Sequence, residues 1–243
     1  MKAIRTLKSP FKFNVMFCAA VLLVGMPIVH AQSFCASDGQ PRPRQLMERF
    51  INADCDSCWT DPATPAAGAG VLALDWIVPG SKGDDAPLSP VASRDAQLRL
   101  QALGEAVPAA SATRTRPVRG FQDSTLRVAH GLPLADYLGA SIELKPIPLT
   151  TRRQRWTSWL ALVETLPVGT EGSPIERNLV RNLIKSNWDG HRPLSKKEQN
   201  RFFESRSMNI IPAANPNRLR VIGWVEDEKG QVMAAAQSRC AAP

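Results

Sequence analysis

The sequence has no apolar run near the ~20 residues that a bilayer-spanning helix needs. Its unbroken run at residues 15–24 (VMFCAAVLLV) has only ten. Acidic side chains are missing from residues 1–31. G-x-S-x-G, G-x-x-x-x-G-K-[ST], H-E-x-x-H and G-x-G-x-x-G are all absent. Their absence removes the simplest signatures of serine hydrolases, P-loop enzymes, zinc proteases and dinucleotide enzymes. No carboxylate pair stands out among the scattered acids. Histidine is scarce, with three in 243 residues. His130 and His191 show no metal-ligand spacing relative to each other or to the cysteines, although two cysteines with either histidine could in principle hold zinc or copper(I). The expectation is therefore no metal and no cofactor. No internal repeat or low-complexity tract is present.

The first 31 residues carry Lys2, Arg5, Lys8 and Lys12, then the apolar run, then Gly25 and Pro27. Val29-His30-Ala31 supplies small-x-small before a cut. This is the pattern of a secretory signal, and the mature chain is expected to begin at Gln32. The net charge is +8, but removing residues 1–31 leaves 26 basic against 22 acidic residues. That excess is too mild to imply a nucleic-acid partner. Stable membrane insertion after cleavage is not expected, and the expected location is the periplasm or the exterior.

Cys18 leaves with the signal, so the mature chain keeps Cys35, Cys55, Cys58 and Cys240. An even number in an exported chain favours disulfides. Three pairings are possible. Cys55 and Cys58 are two residues apart and can readily pair, which leaves Cys35 with Cys240.

Twenty prolines and fifteen glycines disfavour an all-helical bundle. Residues 45–51 (QLMERFI) alternate as a strand, and Asn52-Ala53-Asp54 is turn chemistry before Cys55-Asp56-Ser57-Cys58. Residues 71–78 (VLALDWIV) read as a buried parallel strand. Ser89-Pro90 opens a helix expected to reach about Ala106. Residues 108–119 are small and polar. A short strand pair is expected over 121–129, a short helix over 132–138 and an extended segment over 141–149. Residues 156–166 read as a strand buried on both sides, with Trp156, Leu160 and Leu162 on one parity and Trp159, Ala161 and Val163 on the other. Residues 174–188 are ambiguous between strand and helix, and 195–205 read as a polar helix. Residues 218–226 and 231–237 flank Asp227-Glu228-Lys229-Gly230, the best hairpin signal in the chain.

A C-x-x-C after a strand suits dithiol–disulfide exchange. Cys55 is the expected attacking thiol and Cys58 the resolving one. A helix N-terminus would activate Cys55, while Asp54 and Asp56 push against its ionisation. A purely structural Cys55–Cys58 bond is the competing reading. Trp59 could cover the sulfurs or fill the core. Arg152, Arg153 and Arg155 beside Trp156 and Trp159 read as a solvated strand start over core tryptophans rather than as a nucleotide-stacking patch.

Glu48-Arg49-Phe50…Cys55-Asp56-Ser57-Cys58 resembles the E-L-F-T-S-Q-G-C-S-S-C opening of a bacterial family of secreted thioredoxin-like proteins of unknown function. Val71-Leu72-Ala73-Leu74, Ser89-Pro90 with Arg94 and Gln97, Arg177-Asn178-Leu179-Val180-Arg181, and Trp188-Asp189-Gly190 follow in the family's order. Gly223 to Ala236 is similar to its closing hairpin. Trp59-Thr60-Asp61 and Asp75-Trp76-Ile77-Val78 depart from the family pattern. Its T-P-Q, where a cis-proline faces the thiols, has Arg116-Pro117 as the nearest candidate. The resemblance implies an α/β fold, with a thioredoxin-like domain over 32–149 and a β-rich region over 150–243. It fits an exported protein exchanging disulfides with other exported proteins that carry thiols or disulfides. The alternative is a non-catalytic cell-envelope binding or structural protein on a degenerate thioredoxin fold.

Overall fold

The computed structural model describes residues 35–121, 123–147, 154–190 and 200–240. The expected signal segment, His191, Arg152 and Arg153 lie outside these residues, as do residues 195–199 of the expected helix over 195–205.

The chain forms β1 (Cys35–Ala36), β2 (Gln45–Asn52), α1 (Ser57–Thr60), β3 (Val71–Val78), α2 (Arg94–Leu103) and β4 (Ser111–Pro117). Then follow β5 (Thr125–His130), β6 (Tyr137–Lys145), β7 (Arg155–Leu166), β8 (Arg177–Asp189), β9 (Phe202–Asn209), β10 (Leu219–Glu226), β11 (Val232–Gln237) and β12 (Arg239–Cys240). Seven strands make one sheet, in the order β11-β10-β7-β8-β3-β2-β4. Five make the other, in the order β12-β1-β5-β6-β9.

This architecture overturns the α/β thioredoxin-like expectation. Strand takes 47% of the described residues and helix 14%, and the α-helices are two. The physical reason lies in what covers the sheet. A thioredoxin-like sheet needs helices on both faces. Here α2 covers one face, and the five-stranded sheet covers part of the other. Segments expected as helices are short of it or are strands. Residues 132–138 make the turn into β6, and Phe202–Asn209 is β9. The helix after Ser89-Pro90 shrinks to Arg94–Leu103. The Ser93 hydroxyl accepts from the Ala96 amide at its start, and Gly104 closes it at φ 71°. A left-handed C′ glycine is a strong helix stop.

Other expectations agree with the structure. β3 pairs parallel with β2 from Gln45↔Val71 to Asn52↔Val78. β10 and β11 form the expected hairpin. β7 is buried on both sides with the expected parity. Trp156, Leu160 and Leu162 join Val128, Ile142 and Val221 in the core between the sheets. Trp159, Ala161 and Val163 join Leu46, Leu74 and the α2 residues Ala96 and Leu100 on the opposite face. The sheets pack closely at Gly223. A Cβ there would stand 2.5 Å from Val128 Cγ1 and 2.8 Å from Ile142 Cδ1, which explains a glycine in mid-strand. The seven-stranded sheet draws β2, β3 and β4 from one half of the chain and β7, β8, β10 and β11 from the other.

Candidate functional site

Cys55 and Cys58 form a disulfide in the turn between β2 and β3. Both are half-buried. The turn begins where parallel strand β2 ends, so the sulfurs lie at the C-terminal edge of that pair. Asn52 Oδ1 accepts from the Asp54 amide at 2.9 Å, an Asx-type turn. The Asp54 carboxylate accepts from the Ser81 amide and hydroxyl, each at 2.8 Å, and from the Lys82 amide. Desolvation works to raise its pKa, but these bonds and the Lys82 charge outweigh it and hold the carboxyl below its ordinary range. Gly80 permits this contact, because a Cβ there would sit 2.3 Å from both Asn52 Oδ1 and Asp54 Oδ1.

The helix after Cys55 is a single turn, Ser57–Thr60, and Asp56 at its start makes no side-chain cap bond. Ser57 Oγ lies 3.9 Å from Cys55 Sγ. Trp59 is core: it is 5% exposed and packs with Ile51, Ile77 and Leu179, with Cys58 against the same cluster. Arg177 donates to the Trp59 carbonyl at 2.8 Å, and its guanidinium carbon stands 4.5 Å from the Trp59 ring centre.

That arginine belongs to a buried network. Asp75, fully buried in apolar β3, accepts from Arg49 at 2.8 Å through both oxygens, from Arg177 at 2.9 Å and from the Asn178 amide at 2.9 Å. Burial lowers the Arg177 pKa, and the Arg49 charge adds to this, while Asp75 works to raise it. A second network lies on the α2 side. Arg99, with no exposure, donates to Glu48 at 2.6 and 2.9 Å and to Glu226 at 2.6 and 3.2 Å. Arg116 adds bonds to both carboxylates. Trp159 and Trp224 each donate an indole N–H to Glu226. Glu48 and Glu226 are thus a carboxylate pair assembled from distant residues, neutralised by two arginines.

Sequence reasoning singled out Cys55, Cys58 and the Arg177-Asn178 motif but missed both networks. A signal existed: an aspartate inside VLALDWIV cannot be buried without a cationic partner. Arg116-Pro117 does not face the thiols. Pro117 pairs with Gln45, at the opposite end of β2 from Cys55. The cis bond among the described residues is Lys145–Pro146. Trp156 and Trp159 are buried on opposite faces of β7 and offer no shared stacking surface beside Arg155.

Cys35 and Cys240 form the second disulfide, as the cysteine spacing led us to expect. They pair across β1 and β12, and on the other side of β1 Cys35 pairs with His130 of β5. His130 is 4% exposed. Its Nδ1 lies 2.8 Å from the Gly131 carbonyl, and its Nε2 has no partner. Burial lowers its pKa, the Gly131 bond works to raise it, and the Arg220 charge lowers it further. The two sulfurs and a ring nitrogen lie within 4.8 Å of one another.

Two disulfides fit a chain that matures in an oxidising compartment. Among the described residues, no helix is long and apolar enough to cross a membrane. No protein-family model and no curated protein matches the chain. Among solved structures it is similar to HBP35 of Porphyromonas gingivalis, with a TM-score of 0.48 and 10% identity over 81% of this chain and 74% of that one.

Proposed function

We propose that this is an exported thiol–disulfide exchange protein, cleaved after Ala31 and working in the periplasm or outside the cell through Cys55 and Cys58. One observation carries the reading: a half-exposed disulfide sits in the turn after a parallel strand, over a base fixed by Arg177, Asp75 and Trp59. A rigid base with accessible sulfurs suits exchange, because attack must align three sulfurs through a mixed disulfide. In the reduced protein, Cys55 thiolate attacks a partner disulfide. This forms a Cys55–partner bond and releases the partner's second sulfur as thiolate. Cys58, having lost its proton, then attacks Cys55, reforms the internal disulfide and releases the partner's first sulfur. The partner gains two electrons and two protons. The partners are other exported proteins with thiols or disulfides.

The non-catalytic reading rests on the one-turn, uncapped helix, which gives Cys55 little help in ionising. Alkylation separates the two readings. In the reduced protein Cys55 is expected to react faster than Cys58, and Asp56→Asn to speed it further at neutral pH. Cys58→Ser is expected to trap mixed disulfides, which Cys55→Ser abolishes. A Cys55–Cys58 bond that glutathione leaves intact would defeat the exchange reading.

A further inference from the structure

The C-x-x-C pair leaves a second sulfur site unused. Cys35 is 1% exposed and Cys240 half-buried, in adjacent antiparallel strands, and His130 completes the row from β5. His130 is set up as a ligand: one ring nitrogen lies against the Gly131 carbonyl, and the other is buried without a partner. A metal-binding histidine characteristically donates its second N–H to a carbonyl or carboxylate, which fixes the tautomer and aims the free lone pair. A buried, unpartnered imidazole nitrogen otherwise carries a desolvation cost with no return.

We propose that reduction of Cys35–Cys240 opens a cuprous-ion site made of Cys35 Sγ, Cys240 Sγ and His130. The site is independent of the exchange chemistry assigned to Cys55 and Cys58. A dithiol reductant supplies two electrons and two protons, the S–S bond breaks, and the dithiol leaves as its own disulfide. Cu⁺ then binds both sulfurs and the imidazole nitrogen, and the two thiol protons go to solvent. Metal–sulfur bonds of about 2.3 Å at trigonal angles put the sulfurs ~4 Å apart. Reduction frees the sulfurs to part toward that distance, and a ring nitrogen already lies within 4.8 Å of both.

The donor set selects the ion. Two thiolates and one imidazole are soft, and three donors satisfy copper(I). Zinc would need a water to complete its tetrahedron, since among the described residues no other cysteine, histidine or carboxylate joins the group, and Cys35 and His130 are buried away from solvent. Charge points the same way. A cuprous dithiolate is a net anion, Arg239 is next to Cys240 in the chain, and the Arg220 charge acts on His130.

The test uses the exported protein with Cys55→Ser and Cys58→Ser, so that only the terminal pair can respond. It is reduced, desalted without oxygen, and titrated with Cu⁺ against a bathocuproine competitor. One Cu⁺ per chain is expected, with two sulfurs and one nitrogen around it by X-ray absorption, and none in the oxidised protein. His130→Ala keeps both native disulfides, so its folding is checked in the oxidised four-cysteine chain. Carried into the Cys55→Ser, Cys58→Ser chain and reduced, the substitution should remove the nitrogen from the terminal site and weaken Cu⁺ binding by ~100-fold, the upper end of what losing even an outer-shell partner costs. Binding that survives Cys35→Ser, a sulfur-only shell with His130 present, preferential retention of Zn²⁺, or no metal uptake would each overturn the proposal.

Discussion

Glu226 shows how a single carboxylate can be buried without being neutralised by a proton. Desolvation works to raise its pKa, but bonds from Arg99 and the charges of Arg99 and Arg116 prevail and hold it below the ordinary glutamate range. The fold therefore favours the ionised form. A group with a depressed folded pKa contributes stability above its unfolded value, near 4.3 for glutamate, and that contribution is lost as pH falls through the folded value. Urea midpoints should fall on acidification below about pH 4.3, and Glu226→Gln should make that fall shallower. An acid limb of equal steepness in the variant would show that other carboxylates carry the dependence. Trp159 donates to Glu226 Oε2 and Trp224 to Oε1, so the glutamine oxygen can serve one indole while its NH2 faces the other. Overall stability falls for that reason too, and the steepness of the acid limb is the readout that reports the charge.

At the scale of elements, β2, α1, β3 and the start of β8 act as one piece around Asp75. Asp75 is directly opposite Arg49 in the β2–β3 register and opposite Leu179 in the single β3–β8 pairing, next to Asn178. Asp75→Asn would leave Arg49 and Arg177 facing each other without a counter-charge. Breaking one partner of a buried ion pair costs about 3–5 kcal/mol. Chemical denaturation should show a loss in that range, and the cysteine turn should exchange its amides faster, because Arg177 also holds the Trp59 carbonyl. Unchanged stability would remove Asp75 as the anchor of the turn. The strands themselves were legible: VLALDWIV has the unbroken apolar look of a strand covered on both faces, and Trp156 to Leu166 shows its two parities. What covers them was not legible. Local pattern sees one strand at a time, whereas the partner of Arg99 comes from residue 226 and that of Asp75 from residue 177. Residues 132–138 and 202–205 depart from the expected helices because segments this short carry little periodicity, and their sheet neighbours decide their conformation.

Over the whole molecule, the two disulfides differ in what they constrain. Cys35–Cys240 has a sequence separation of 205 and ties β1 to β12 at one edge of the five-stranded sheet. Cys55–Cys58 has a separation of 3 and closes only a turn. The chain-entropy model assigns ~5 kcal/mol to the long loop and ~2 kcal/mol to the short one. The site residues need little help from the staple, since β2, β3 and β8 hold together through their ladders and the Asp75 network. Removing both terminal cysteines, as Cys35→Ser with Cys240→Ser, should therefore lower the thermal midpoint clearly more than removing Cys55 and Cys58 together. It should leave the alkylation rate of reduced Cys55 unchanged. The measurement is a pair of thermal melts on the two double variants, with Cys55 reactivity read on the first. A larger loss from the C-x-x-C variant would make that short bond the main structural staple and would undercut its assignment as the exchange site.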